Sequence, residues 1–413
     1  MKLRYWSPLL LAVLLLAGCP GPEGTDLPIL PDRPDPAPDD PLIARLNEVY
    51  PEGYRLVEQS YGTRTTLQLT GEGGPGEVAV FLSEEQGHIG VIVEQSPGKY
   101  ELIGFATRGE ETGLALEITD WDLDGTEEFL IFLDFPGKGE DRVAVYDYRS
   151  GRIRRILSES SAGYRIFHPA QDRRVLVLPG PDSAVRIFGY VPEAGMELLQ
   201  EVSLSSGMTN LRFDVLESPD GPDTLLVRGE IPGGAVTDLI GLRGEKFHNL
   251  FYEEGPGYSP RTLLPWPVEP LDMDGDGYPE IPGPADPVRS GAVSGVQWVQ
   301  WLRFATPESL LPVNQTLEIQ GEVPVRFRIP ERWNGRIRLY PADPSYPGSR
   351  NSAEVRLVRE DGTEASLFSF ALFSAGLPIP EELTPVARNQ GLVVAVDIRE
   401  AREDSVLEGF EFP

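Results

Sequence analysis

The chain holds a single cysteine, Cys19, in 413 residues. An intramolecular disulfide and a cysteine-ligated metal are both excluded. Histidine is almost as scarce: His88, His168 and His248 stand far apart, in no H-E-x-x-H or similar ligand spacing, so each reads as a structural residue in or beside a strand. Basic residues are short as well, 36 Lys and Arg against 65 Asp and Glu, for a formal charge of −29. Such a surface repels nucleic acid and anionic head groups and suits divalent cations. There is no G-x-S-x-G elbow, no Walker loop and no dinucleotide fingerprint. Long helical patterns are few. What fills the chain instead is 40 Pro and 44 Gly among 40% apolar residues. Breakers at that frequency predict many short strands.

The one conspicuous apolar run, Leu9 to Ala17, follows Lys2 and Arg4 and is too short to span a bilayer. A charged start, a short apolar segment and then "LAGC", Leu16 to Cys19, make a secretory signal over residues 1–18. "LAGC" resembles the lipobox of bacterial lipoproteins. The resemblance implies lipidation of Cys19, which would become the first residue and tether the chain to the membrane. Residues 19–41 then form a tether, with eight prolines and six acids between Pro20 and Pro41. In extended polyproline form, at about 3.1 Å per residue, it reaches roughly 65 Å.

A pattern repeats after the tether. The runs "EVAVFL" (77–82), "EFLIFL" (128–133), "RVLVLP" (174–179) and "DTLLVRG" (223–229) recur, with a proline-broken counterpart "YPEIPGP" (278–284). Aligned on Val78, Phe129, Val175, Thr224 and Tyr278, they lie 51, 46, 49 and 54 residues apart. Each is preceded by a strand-like segment, the fifth by "TLLPWPVEP", and followed by another such as "HIGVIVEQ" or "RVAVYDY". In the first four units a tight turn and a further strand come next. Four short antiparallel strands per unit of this length predict an all-β fold, a β-propeller of about five four-stranded blades over residues 42–305. Helix is expected only at "PLIARLNEVY" (41–50) and "PEELTPVARN" (380–389). From 306 to 413 the repeat breaks, which predicts a small C-terminal β-rich or α+β domain. There Arg326, Arg328, Arg336 and Arg338 alternate with apolar neighbours and predict one wet face.

Two units carry an acidic loop between their first two strands, "DWDLDGTEE" and "DMDGDGYPE". Both read D-x-D-x-D-G-x-x-E. Alternate side chains can converge on one point while Gly125 or Gly277 makes the turn. Asp120, Asp122, Asp124 and Glu128 in one loop, and Asp272, Asp274, Asp276 and Glu280 in the other, supply hard oxygens. The carbonyls of Thr126 and Tyr278 add one each. Six or more oxygens of this kind suit Ca²⁺. Position twelve is Ile131 or Gly283 where an EF-hand needs Glu, so these are not EF-hands. The loops resemble the calcium loops of FG-GAP/VCBS repeats, found in integrin-type propellers and bacterial surface proteins. The likeness implies two structural calcium sites. It departs from that family in lacking recognisable Phe-Gly and Gly-Ala-Pro segments.

Lipobox, stalk, repeats and terminal domain together resemble surface lipoproteins of Gram-positive-type bacteria. That likeness implies lipid anchoring at the outer face of the cytoplasmic membrane. The function expected is non-enzymatic: a tethered, calcium-stabilised binding or scaffold module for an extracellular protein or glycan, without nucleic acid. The alternative is a carbohydrate-active hydrolase, since propellers host carboxylate pairs at their channels. "SPDGPDTL" (218–225) is faintly similar to the Asp-box of sialidases but lacks its Gly-x-Thr-Trp ending. No catalytic residue is assigned. Trp298 and Trp301, with Trp266, are candidates for stacking on sugar. Spacing of three on a strand puts the first two on opposite faces, so one belongs to the core.

Overall fold

The computed structural model describes residues 40–412 except 61, 69–75, 84–87, 107–112, 136–140, 150–151, 218–221, 286–292, 307–308, 322, 343–345, 390, 401–405 and 408. The signal segment, Cys19 and nearly all of the tether lie outside the described residues. The chain divides into residues 1–51 and 52–413. In the first unit, helix α1 (Pro41–Val49) forms as expected. Pro41 occupies its first turn, and the Asp40 carboxylate caps it by accepting from the Leu42 and Ile43 N–H groups at 3.0 and 3.3 Å.

Among the described residues the second unit is all-β and antiparallel, in six sheets. Sheet 1 holds β1 (Arg55–Val57), β2 (Thr65–Leu67), β3 (Gly76–Ser83), β4 (His88–Ser96) and β5 (Lys99–Ala106). Sheet 2 is β6 (Gly113–Thr119), β7 (Glu128–Asp134), β8 (Arg142–Arg149) and β9 (Arg152–Ser160). Sheet 3 is β10 (Arg165–Ala170), β11 (Arg173–Gly180), β12 (Ala184–Val191) and β13 (Gly195–Ser203). Sheet 4 is β14 (Thr209–Leu216), β15 (Thr224–Ile231), β16 (Gly234–Arg243) and β17 (Lys246–Asn249). Sheets 2 to 4 are simple meanders whose second strand is one of the recurring apolar runs; in sheet 1 the run is β3, which takes both β1 and β2 on one edge and β4 on the other.

Those runs are continuously apolar because both faces of each sheet are buried. In β7, Phe129, Ile131 and Leu133 join a core shared with sheet 1, while Leu130 faces a core shared with sheet 3. In β11, Leu176 and Leu178 face sheet 2, while Val175 and Val177 face sheet 4. In β15, Leu225 and Val227 face sheet 3, and Leu226 faces the next sheet. Burying one such side chain fully contributes about 1.5–3 kcal/mol. The sheets thus stack face to face in chain order.

The fifth sheet departs from expectation. "TLLPWPVEP" forms no strand, because Pro265, Pro267 and Pro270 interrupt it. The sheet begins instead at β18 (Ile281–Pro284) and continues through β19 (Val296–Thr306), β20 (Ser309–Ile319) and β21 (Val325–Arg328). The boundary placed at 305/306 therefore falls within a sheet. Sheet 6 contains β22 (Ile337–Pro341), β23 (Asn351–Val358), β24 (Glu364–Ser374), β25 (Thr384–Arg388) and β26 (Leu392–Ile398), in the order β22-β23-β24-β26-β25. The last strand, β27 (Phe410–Glu411), returns to pair with β21 on the edge of sheet 5. Sheets 5 and 6 share a core in which Phe327, Phe368, Phe370 and Phe410 pack ring to ring. Among the described residues there are thus six sheets, and the segment after 305 supplies part of the fifth and all of the sixth.

Two local expectations are corrected. Residues 384–388 form edge strand β25 rather than helix. Pro385, five residues after Pro380, removes a helical donor, whereas an edge strand tolerates it. Arg326 is not on a wet face. Its guanidinium is buried against the Glu318 carboxylate at 2.6 Å and lies 4.9 Å from the centre of the Trp301 ring.

Candidate metal centres

The two acidic loops fold alike. In the first, between β6 and β7, Asp120 accepts from the N–H groups of Asp124 (3.2 Å) and Gly125 (3.1 Å). In the second, Asp272 accepts from the corresponding Asp276 (3.2 Å) and Gly277 (2.9 Å). The third position repeats this: Asp122 accepts from Asp124 at 3.3 Å, and Asp274 from Asp276 at 3.2 Å. At the fifth, Asp124 accepts from the Thr126 N–H at 2.7 Å, and Asp276 from that of Tyr278 at 2.9 Å. At the ninth, Glu128 accepts from the Trp121 N–H at 2.8 Å, and Glu280 from that of Met273 at 2.7 Å. Trp121 and Met273 are buried, so each loop is pinned at its second position by an apolar anchor.

Backbone conformation matches too. The glycines at position six, Gly125 and Gly277, have φ of 87° and 91°. Position four is also left-handed, at 59° for Leu123 and 80° for Gly275. Gly275 adopts this freely, while for Leu123 it costs about 1–2 kcal/mol.

Carboxylate oxygens of Asp120, Asp122 and Glu128 all lie within 4.8 Å of one another, as do those of Asp272, Asp274 and Asp276. The structure therefore brings together three of the four acids named for each loop, leaving Asp124 outside one trio and Glu280 outside the other. Glu128 is 4% exposed. That burial, reinforced by Asp122, Asp120 and Asp124 and opposed by the Trp121 N–H, pushes its carboxyl up to about 8. Burial likewise raises Glu280, with Asp274 and Asp276 adding to it and the Met273 N–H and Arg303 opposing. A set made wholly of oxygens, several of them ionised, is the donor chemistry of a hard divalent cation.

The loops differ in their counter-charge, and sequence reasoning missed the residue responsible. Arg303, on β19, pairs with Asp274, lies 2.9 Å from Asp276 and stands 3.7 Å from Glu280. In sheet 2 the place beside the ninth residue belongs to an acid. Ile281 pairs with Leu302 and Phe129 with Tyr146, so one further step sets Arg303 beside Glu280 but Asp147 beside Glu128. Asp147 is buried and held by Arg149 and Arg154, each at 3.0 Å. Arg149 comes only within 4.0 Å of Asp122. The signal that could have identified Arg303 is the strand register carried from one repeat to the other.

The remaining candidates disperse. His88, His168 and His248 lie on sheets 1, 3 and 4, and among the described residues none joins a cluster of metal-type ligands. Trp298 and Trp301 are both buried, facing different cores, so neither is available to a sugar. Trp266 stays partly exposed. Among the described residues no helix is long and apolar enough to cross a membrane.

No protein-family model matches the chain, and no curated protein does. Among solved structures, the chain is similar to a fungal lectin, Aleuria aurantia lectin, described as having a six-bladed β-propeller fold and a novel fucose recognition mode. The match has 12% identity over 65% of this chain and 77% of that one, with a TM-score of 0.25. A variant of that lectin in complex with α-methyl-L-fucoside matches with the same figures. Scores this low carry no argument about this chain.

Proposed function

We propose that the chain is a calcium-stabilised binding module of the β-propeller type, held by a lipid on Cys19 at the outer face of the bacterial cytoplasmic membrane. It recognises an extracellular protein or glycan and carries out no turnover. The stacking of six antiparallel sheets in chain order, each buried on both faces, supports the propeller. The observation that carries the calcium reading is the hydrogen-bond pattern that the two loops share at positions one, three, five and nine, to which the second loop adds a Gly275 N–H donated to Asp272 at 2.7 Å.

Asp120, Asp122, Asp124 and Glu128 would hold one ion, and Asp272, Asp274, Asp276 and Glu280 the other, with the Thr126 and Tyr278 carbonyls completing each set. A bound ion supplies the positive charge that offsets repulsion within each loop. The protein's own part is to pre-form the turn, through N–H groups donated to Asp120 and Asp272, and to anchor its second position through Glu128 and Glu280. The first loop is the tighter site, because Arg303 already partly neutralises the second.

Melting curves in Ca²⁺, in Mg²⁺ and in chelator test this on wild type, Asp124→Ala and Asp276→Ala. Calcium at a hundredfold excess over Kd should stabilise by about 2.7 kcal/mol per site, and each substitution should remove one site's share. A wild-type melt indifferent to chelator, with no calcium by elemental analysis, refutes the calcium reading. Anchoring is tested separately: Cys19→Ala should leave the protein unlipidated, and unchanged mass and membrane attachment would rule Cys19 out. Hydrolysis of a glycan panel, abolished by changing one acid outside the loops, would replace the binding reading with the hydrolase.

A further inference from the structure

Apart from the acidic loops, the described residues form an open cleft of about 510 Å³ between sheet 4 and the proline-rich segment that leads to sheet 5. That volume lies within the range of small-ligand sites, roughly 300–1,000 Å³. We infer that this cleft binds a neutral pyranose-containing oligosaccharide, with the sugar face on Trp266 and its hydroxyls on Asn210, Arg212, Arg228, Glu230 and Glu269. The inference deepens the binding-module reading by naming a site and a ligand class.

The cleft is built rather than incidental. One wall comes from a β-bulge. Thr209 pairs with Glu230 and Arg212 with Arg228, so Asn210 and Leu211 together face only Gly229. Asn210 is left-handed there, with φ of 54°. Bulges and sparsely populated backbone conformations recur where side chains must be re-aimed at a ligand. Gly229 is required, because a Cβ would come within 2.6 Å of Met208 and 2.7 Å of the Thr209 carbonyl.

The opposite wall is an arch fixed at both feet. Leu264 exchanges two 2.8 Å backbone hydrogen bonds with Ala235, and the Thr262 hydroxyl donates to the Thr237 carbonyl at 2.6 Å. Gly234 lets the arch approach β16, since a Cβ there would meet the Leu264 carbonyl at 2.1 Å. At the far foot Leu271 pairs with Glu280. Trp266 sits between the feet, flanked by Pro265 and Pro267, which limit its backbone freedom. A rigid aromatic surface loses little entropy on binding.

The polar groups are also held in place. Arg228 is gripped by Asp214 at 2.6 Å and paired with Glu269, which accepts from Arg212 at 3.2 Å as well. Arg212 and Arg228 balance Glu230 and Glu269, so the cleft offers donors and acceptors with little net charge of its own. A polyanion would meet the −29 charge of the chain, and a cation would compete with two guanidiniums for Glu269. A ligand with one apolar face and a rim of groups that both donate and accept matches this lining. A pyranose ring has that form.

Fluorescence gives a selective readout. Trp121, Trp298, Trp301 and Trp333 are buried, which leaves Trp266 as the accessible tryptophan among the described residues. The chain from Cys19 onward, which lacks Trp6, is titrated in detergent with maltohexaose, cellohexaose, mannohexaose and xylohexaose up to about 10 mM, the weak end of specific binding. Acrylamide quenching and calorimetry are followed together. At least one sugar should protect Trp266 and release heat, and Trp266→Ala and Glu269→Gln should each weaken that binding at least about tenfold. Both variants should keep the wild-type response of the melt to calcium, so a failure here is separable from failure of the calcium sites. The proposal is overturned if none of the four sugars changes quenching or heat. It is overturned equally if Trp266→Ala binds like wild type, or if heparin or alginate, titrated alongside, binds while none of the neutral sugars does.

Discussion

Glu128 makes the first acidic loop pH-sensitive in the metal-free protein, and the sign can be worked out. Its carboxyl sits at about 8 in the folded chain, against 4.5 for the free group, chiefly because it is buried. The folded state therefore keeps a proton that the unfolded state has already released. Stability from this group is fully present below about 4.5, falls as pH rises toward 8 and is level above that. Between about pH 5.5 and 7.5 the loss is about 2 kcal/mol, allowing roughly a unit of latitude in the folded value. Urea unfolding of metal-free protein across that range measures it. Other carboxylates titrate too, so the informative quantity is the difference between wild type and Glu128→Gln, which keeps an acceptor for the Trp121 N–H. That difference should shrink by about 2 kcal/mol as pH falls, with an unchanged denaturant slope. Saturating calcium should flatten it, because a cation favours the ionised carboxylate. A wild-type-minus-variant difference that stays constant, or runs the other way, refutes the reasoning.

Three further outcomes follow from particular contacts. Arg303→Ala should raise calcium affinity at the second loop by roughly fivefold, the order of a partly exposed ion pair, and calorimetry on an Asp124→Ala background reads that loop alone. Glu318→Ala leaves the buried Arg326 guanidinium with only the Glu411 carboxylate at 3.7 Å, and the Thr316 hydroxyl that donates to Glu318 at 2.8 Å loses its acceptor. It should cost about 3–5 kcal/mol by denaturant midpoint, whereas Glu318→Leu combined with Arg326→Met should recover most of that. Leu123→Gly relieves a left-handed leucine and should stabilise the metal-free protein by about 0.5 kcal/mol, strain relief outweighing added chain entropy; a lower melting temperature would contradict this.

Much of the architecture was legible residue by residue. A run such as Phe129–Leu133 has no polar alternation, and in a chain so rich in Gly and Pro it must be a strand covered on both faces. The recurrence of such runs then marks the first four sheets, and the acidic spacing at 120–128 and 272–280 marks two like turns, because alternate carboxylates and a glycine at position six suit one loop geometry. The fifth and sixth sheets were less legible. Prolines broke the expected first strand of the fifth unit, and β20, β21 and β27 join that sheet from positions that carry no repeat marker.

The sequence by itself determined the apolar strands of the first four sheets, the loop chemistry and the excess of acid, since these depend on side-chain type and on neighbours a few residues away. Only the tertiary structure decided that Arg303 reaches into the second loop while Asp147 takes the matching place beside the first. It likewise decided that Arg326 is buried while Arg328 is not, and that Trp266 faces an open cleft while Trp298 and Trp301 are sealed in separate cores. Each of these depends on which strand lies alongside which and in what register. Hydrogen bonds between residues far apart in the chain set that register, and an alternating pattern within one strand does not encode it.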